Sequence, residues 1–209
     1  RHFVLGTVAI FIYVGVEVGI PNFANLFMTS PEINIDPTIA GSVVGTYWFL
    51  MMIGRLCGAS IGAKVSSRAM LTVVSTVGIV LVLGAIFCAD NILVNMPVFK
   101  SDISFGFAQV PVNVMLLILC GLCTSVMWGG IFNLAVEGLG KYTAAASGLF
   151  MVMVCGGGIL PLIQGGVADF AGFLNSYWVI ALGLAYILFY AAIGSKNVNT
   201  DIPTDDYEA

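Results

Sequence analysis

The chain has 209 residues, 59% of them hydrophobic and 9% charged, with a mean hydropathy of +1.04 and a formal net charge of −4. Such a balance excludes a water-soluble globular domain and identifies an integral membrane protein. With 7 Lys and Arg against 11 Asp and Glu it also lacks the basic surplus of a nucleic-acid binder.

A bilayer core about 30 Å thick needs roughly 20 apolar residues of helix. Six runs meet that length, near residues 3–28, 38–62, 69–88, 111–137, 143–167 and 174–194. Each is continuously apolar rather than alternating with period two, which selects helices over a barrel. The fold class is all-α, a polytopic bundle. The chain opens on Arg1, and its first span lacks the short h-region and cleavage site of a signal peptide, so it reads as part of a longer chain.

The first span carries the most informative residue. Glu17 lies about 21 Å in from Phe3 by helical rise, near the bilayer midplane. An intramembrane carboxylate is costly and is a functional-site hypothesis by default. Tyr13, Glu17, Pro21 and Ala24 share one helical stripe, with Gly15 and Gly19 opposite, so one face packs while the other presents the carboxylate. Two readings follow: a cavity-facing group that binds solute or exchanges a proton, or a hydrogen-bonded carboxyl tying two helices together. The first is favoured by the depth. Pro21 removes the amide that would bond the Glu17 carbonyl, and a break there is expected to turn Asn22 and Asn25 toward a polar ligand.

In the second span Arg55 lies about 10 Å in from Gly62. Its stem is long enough to snorkel to the near surface. Direct pairing with Glu17 would have to bridge about 10 Å of depth, so a gate contact near Glu137 or at the helix ends is expected instead. Tyr47, Trp48 and, in the fourth span, Trp128 lie in span interiors rather than at interfaces. Beside Asn133, Gln164 or Glu17 such rings suit a sugar, with the ring against its C–H face and amides or carboxylate on its hydroxyls; plain core packing is the equally weighted alternative. Gly54, Gly58 and Gly62 form a close-packing stripe.

The connection at 89–110 is the longest and least regular, and a short surface helix is expected within it. Cys120 and Cys123 have metal-pair spacing, but no loop His or second pair accompanies them, and helix packing is the better reading. The fifth span is loosened by Gly156 to Pro161, where a kink is expected. Tyr177 and Trp178 read as interface anchors of the sixth span. An acidic tail, 197–209, follows.

Laying the second span on the fifth at an offset of 104 residues brings Gly54 onto Gly158 and Gly62 onto Gly166. Each is the middle of a group of three spans, and three is odd, so the groups form two inverted repeats, a transporter signature. Arg1, Lys64, Arg68, Lys141 and Lys196 fall on the face carrying both termini, and Lys100 on the other, which places the termini in the cytoplasm. His2 is the one histidine, there is no phosphate-binding loop, and no catalytic constellation emerges; the chain reads as no enzyme, without a cofactor.

Tyr13-Val-Gly-Val-Glu-Val-Gly, Trp48 followed by Gly54-Arg55, and Ser125-Val-Met-Trp-Gly-Gly-Ile-Phe-Asn leading to Gly138-Leu-Gly140 resemble the fucose/glucose/galactose proton symporter family of the major facilitator superfamily. Ser147-Gly148, Gly156-Gly157-Gly158, Pro161 and Gly165-Gly166-x-x-Asp169 extend the resemblance over nearly the whole chain as the C-terminal half, helices seven to twelve. The resemblance implies proton-coupled sugar transport by alternating access, with proton or sodium as coupling ion. It also implies a plasma-membrane location, the inner membrane of a Gram-negative cell, and as partners the N-terminal six-helix half, sugar and lipid. The first and fourth spans would line the cavity, with Glu17 and Asn25 near the sugar. Lys64 and Arg68 stand at the superfamily's basic loop without its Asp-Arg pair, as gating or structural charges, and Trp128-Gly129-Gly130 replaces an expected Phe-Pro-Thr. The proton-carrying carboxylate of related symporters lies in the N-terminal half, which leaves Glu17 as solute contact. Transport of another small solute, or a non-transporting scaffold or sensor, are the competing readings.

Overall fold

A computed structural model describes residues 1–89, 91–100 and 102–198; the rest of the acidic tail, from 199, lies outside the described residues. Among the described residues six helical spans make up the bundle. Helix α1 runs His2–Thr29, α2 Pro37–Gly62 and α3 Ser67–Phe87. Strands β1 (Leu93–Phe99) and β2 (Phe105–Pro111) follow. The fourth span is built of α4 (Val112–Thr124) and α5 (Met127–Val136), and the fifth of α6 (Thr143–Met153) and α7 (Gly156–Ala171). Helix α8, Phe173–Phe189, is extended by one wide turn, Tyr190–Gly194.

Local chemistry sets these ends. Asp36 caps α2, its Oδ1 accepting from the Thr38 amide at 2.8 Å, with Pro37 in the first turn where its missing N–H is harmless. The same amide holds the Asp36 carboxyl below the usual carboxylate range. Ser66 caps α3 through the Ala69 amide. Gly172, at φ 94°, is the only residue between α7 and α8 and takes a backbone conformation that a side chain would strain.

The connection after α3 is an antiparallel hairpin, pairing Leu93 with Pro111 through Phe99 with Phe105, and not the short surface helix expected there. The reason is period-two patterning: Met96, Val98, Ala108 and Val110 turn inward, while Asn95, Pro97, Phe107 and Gln109 turn outward. Pro97 would also interrupt a helix. The tip is closed by Asp102, whose Oδ1 accepts from the Ser104 amide and hydroxyl. The hairpin docks on α2: the Phe99 amide donates to Thr46 Oγ1 at 2.9 Å, and Phe49 stacks on Phe99 at 4.8 Å with Phe105 edge-on to both.

The first and fourth spans are the most enclosed of the six and the fifth the least. Tyrosines from two helices pin α1 through its carbonyls: from α8, Tyr177 to Ile20 at 2.8 Å and Tyr186 to Leu5 at 3.2 Å, and from α2, Tyr47 to Glu17 at 3.2 Å. Tyr177 is therefore buried packing rather than the interface anchor expected of it, whereas Trp178 is exposed. The fifth span breaks at Val154 and Cys155, just before the expected kink, where amides bond three residues back instead of four. Pro161 lies inside α7 without interrupting it.

Candidate functional site

Helix α1 is continuous through Pro21, so the expected break is absent. Pro21 does deprive the Glu17 carbonyl of its helical donor, and the Tyr47 hydroxyl occupies that carbonyl while also bonding Thr124 Oγ1 at 3.0 Å. Tyr47 is fully buried and knits α1, α2 and α4 together; the structure does not bring it to an open surface. Tyr47→Phe is expected to lower stability by about 1–3 kcal/mol, the cost of leaving a buried carbonyl unpaired. In a Pro21→Ala background the restored amide takes that carbonyl and the loss shrinks, which a double-mutant cycle of thermal melts would measure.

Glu17 Oε1 and Arg55 Nη2 form an ion pair at 3.1 Å, which overturns the expectation of a separate gate contact near Glu137. The depth count of about 10 Å concerned backbones, and side chains lean toward their helix N-termini. In antiparallel α1 and α2 that lean carries Glu17 and Arg55 toward one another. Arg55 Nη2 accordingly lies 3.3 Å from Met51 Sδ, one turn toward the N-terminus of α2. The carboxyl side chain is 14% exposed and the guanidinium side chain 58%, so Arg55 fronts the pair and Glu17 stands behind it. Tyr13, one turn below on the predicted stripe, is buried beside them, with its ring edge-on to Trp128 at 6.1 Å.

Open cavities line one face of α2 from end to end. At its Gly62 end a cavity of 620 Å³ is walled by Arg55, Ala59, Ser67, Trp128, Gly130 and Asn133. A smaller one of 280 Å³ lies between Trp48, Met51, Met52, Arg55 and Leu56. Toward the hairpin a third, of 990 Å³, is bounded by Thr38, Ser42, Trp48, Phe99, Lys100 and Phe105. Arg55 is common to the first two, and Trp48 and Met52 to the last two. The groove thus follows a helix about 39 Å long at 1.5 Å per residue, with the charge pair at its middle.

Of the residues singled out from sequence, Glu17, Arg55, Trp48, Trp128 and Asn133 are gathered on or behind this groove. Gln164 is not: it is fully buried, its Nε2 donating to Ser176 Oγ at 3.3 Å. Asn22 is exposed and Asn25 half-buried beyond Pro21, and neither lines these cavities. Arg68 and Glu137 flank a separate cavity of 460 Å³ with Ser66 and Asn133, and Lys64 is exposed in the α2–α3 turn. Met51, Thr124 and the Phe49, Phe99 and Phe105 cluster went unrecognised; only the isolated Lys100 hinted that the hairpin meets the groove.

Six spans in this arrangement have the fold of one half of a major facilitator superfamily transporter. A crystal structure of such a transporter in the outward conformation superposes with a TM-score of 0.78 at 22% identity, covering 94% of this chain and 43% of that one. In sequence the chain is 31% identical over 198 residues to the glucose/galactose transporter of Brucella abortus, again 94% of this chain and 43% of the relative. It is 33% identical over 92 residues to the L-fucose-proton symporter of Escherichia coli, 44% of this chain and 21% of the symporter. The resemblance read from the first, second, fourth and fifth spans agrees with these relatives, which are transporters rather than enzymes. The chain spans less than half the length of the relatives it matches along nearly all of itself. No family profile matches it.

Proposed function

We propose that the chain is the C-terminal half of a secondary transporter for a neutral hexose or deoxyhexose, driven by a proton gradient and working by alternating access against an N-terminal half. The observation that carries this reading is the groove along α2, bordered by Arg55 with its ion-pair partner Glu17 behind it. A six-helix half with one open, grooved face suits closure by a second half around a midplane site. The names of the relatives, glucose/galactose transporter and L-fucose-proton symporter, support the solute class and the proton. Lys64, Lys141 and Lys196 at the end carrying Arg1 support cytoplasmic termini, and the cell's plasma membrane, or the inner membrane of a Gram-negative cell, is the expected location.

The test is uptake of labelled glucose, galactose and fucose into vesicles carrying the intact transporter. Saturable uptake is expected, competed by the unlabelled hexoses and abolished by a protonophore. Absence of uptake for all three sugars, or competition by another solute class alone, would reject the sugar assignment; uptake indifferent to the protonophore would reject the coupling.

A further inference from the structure

The Glu17–Arg55 pair has a geometry that selects its ligand, an inference that rests on the transport reading above. A carboxylate offers only acceptors and a guanidinium only donors. Glu17 Oε1 and Arg55 Nη2 stand 3.1 Å apart, close to the separation of two neighbouring hydroxyl oxygens on a sugar ring. Arg55 Nη2 donates to Glu17 and lies against Met51 Sδ, the buried Tyr13 hydroxyl faces both charged groups from behind, and Arg55 borders the cavities on both sides of the pair.

We propose that the pair reads a vicinal diol on an uncharged polyol: one hydroxyl donates to the Glu17 carboxylate while its neighbour accepts from Arg55. The two charges cancel, so the midpoint of the groove presents no net charge. Trp48 fronts one adjoining cavity, held edge-on to Tyr47 at 5.3 Å, and Trp128 the other, each supplying apolar surface for a sugar's C–H face. The 620 Å³ cavity lies within the range of about 300–1,000 Å³ of small-molecule sites. The other charges nearby are Lys100 at the hairpin mouth and, in the separate cavity beyond Asn133, Arg68 and Glu137. Each charge of the pair is already neutralised by the other, so the charge of a uronate or an amino sugar would lose its water at this site without a counter-charge to offset it, and both bind more weakly than the neutral ring.

The test measures, on the intact transporter, binding of one hexose, its uronate and its amino analogue to each variant. Wild type is expected to prefer the neutral sugar. Glu17→Gln leaves Arg55 uncompensated and should raise the uronate-to-hexose affinity ratio by about tenfold or more. Arg55→Met leaves Glu17 uncompensated and should raise the amino-sugar-to-hexose ratio similarly. The double variant should return to a neutral preference with weaker hexose binding, and Arg55→Lys, which keeps the sign, should leave the preference alone. Ratios are taken within one preparation, so a lower folded fraction cancels. Unchanged ratios in both single variants, or a shift in Arg55→Lys equal to that of Arg55→Met, would overturn the diol reader. If wild type binds none of the three ligands, the transport reading itself fails.

Discussion

Replacing Gly156 with valine is expected to leave little folded protein in the membrane, the largest structural effect of any single substitution considered. Helix α7 crosses α1 at this residue: a Cβ built on Gly156 runs into the Phe11 backbone carbonyl, which has no rotamer by which to yield. One turn on, the relation reverses, with Leu160 of α7 seated on Gly15 of α1, and a turn later Gln164 lies over Gly19. Residues 11, 15 and 19 thus mesh with 156, 160 and 164, both at spacing four, each glycine receiving what the facing helix projects. Lipid is as apolar as a leucine side chain, so helices in a membrane associate through close packing of this kind. Overfilling one such contact typically costs about 1–3 kcal/mol, more when backbone must move. Gly156→Ala is therefore expected to lower the melting temperature by several degrees and Gly156→Val to remove the monodisperse peak in size-exclusion chromatography. Gly158→Ala and Gly166→Ala meet no atom within 4 Å and should behave as wild type. Equal losses at all of these positions would show that the fifth span responds to helix propensity rather than to its contact with α1.

What could be read from sequence followed from properties that one segment carries alone. Apolar length located each span, because the bilayer sets that requirement without reference to neighbours. Glu17 and Arg55 stood out for their intramembrane charge. Their pairing did not, since a count of helical rise gives backbone depth and omits the opposing lean of side chains on antiparallel helices. Tyr47 and Gln164 look the same in sequence as Trp48 and Asn133: polar or aromatic groups inside a span. Which pair is sealed and which faces the groove depends on Thr124, Ser176 and the Glu17 carbonyl, all supplied from elsewhere in the chain. Pro21 shows the same limit, because the orphaned Glu17 carbonyl that suggested a break is satisfied by Tyr47, 30 residues further on. The hairpin was different. Its alternation was present in the sequence, yet a search for apolar runs long enough to span lipid passes over two strands of seven residues.

Glu17→Gln should cut hexose uptake by about tenfold to a hundredfold while barely moving the melting temperature. Glutamine keeps the size of the side chain and one acceptor oxygen, and loses the charge that makes the Arg55 contact and any solute hydroxyl bond charge-assisted. Such bonds contribute about 1.5–3 kcal/mol each, and each 1.4 kcal/mol is about tenfold in binding. The stability term is smaller because Arg55 is 58% exposed and its attraction to Glu17 is screened, as in surface pairs worth about 0–1 kcal/mol. Transport and stability therefore separate at this residue. A carboxyl that only tied α1 to α2 would give the opposite pattern: a lower melting temperature with uptake per folded molecule unchanged. Initial uptake rates normalised to folded protein, set beside thermal melts of the same preparations, decide between the two. Arg55→Gln provides the reciprocal case. It leaves a carboxylate at mid-depth without its cation, so it should lose both uptake and stability, and the order of stability, wild type then Glu17→Gln then Arg55→Gln, is the signature of a charge kept at depth by its partner.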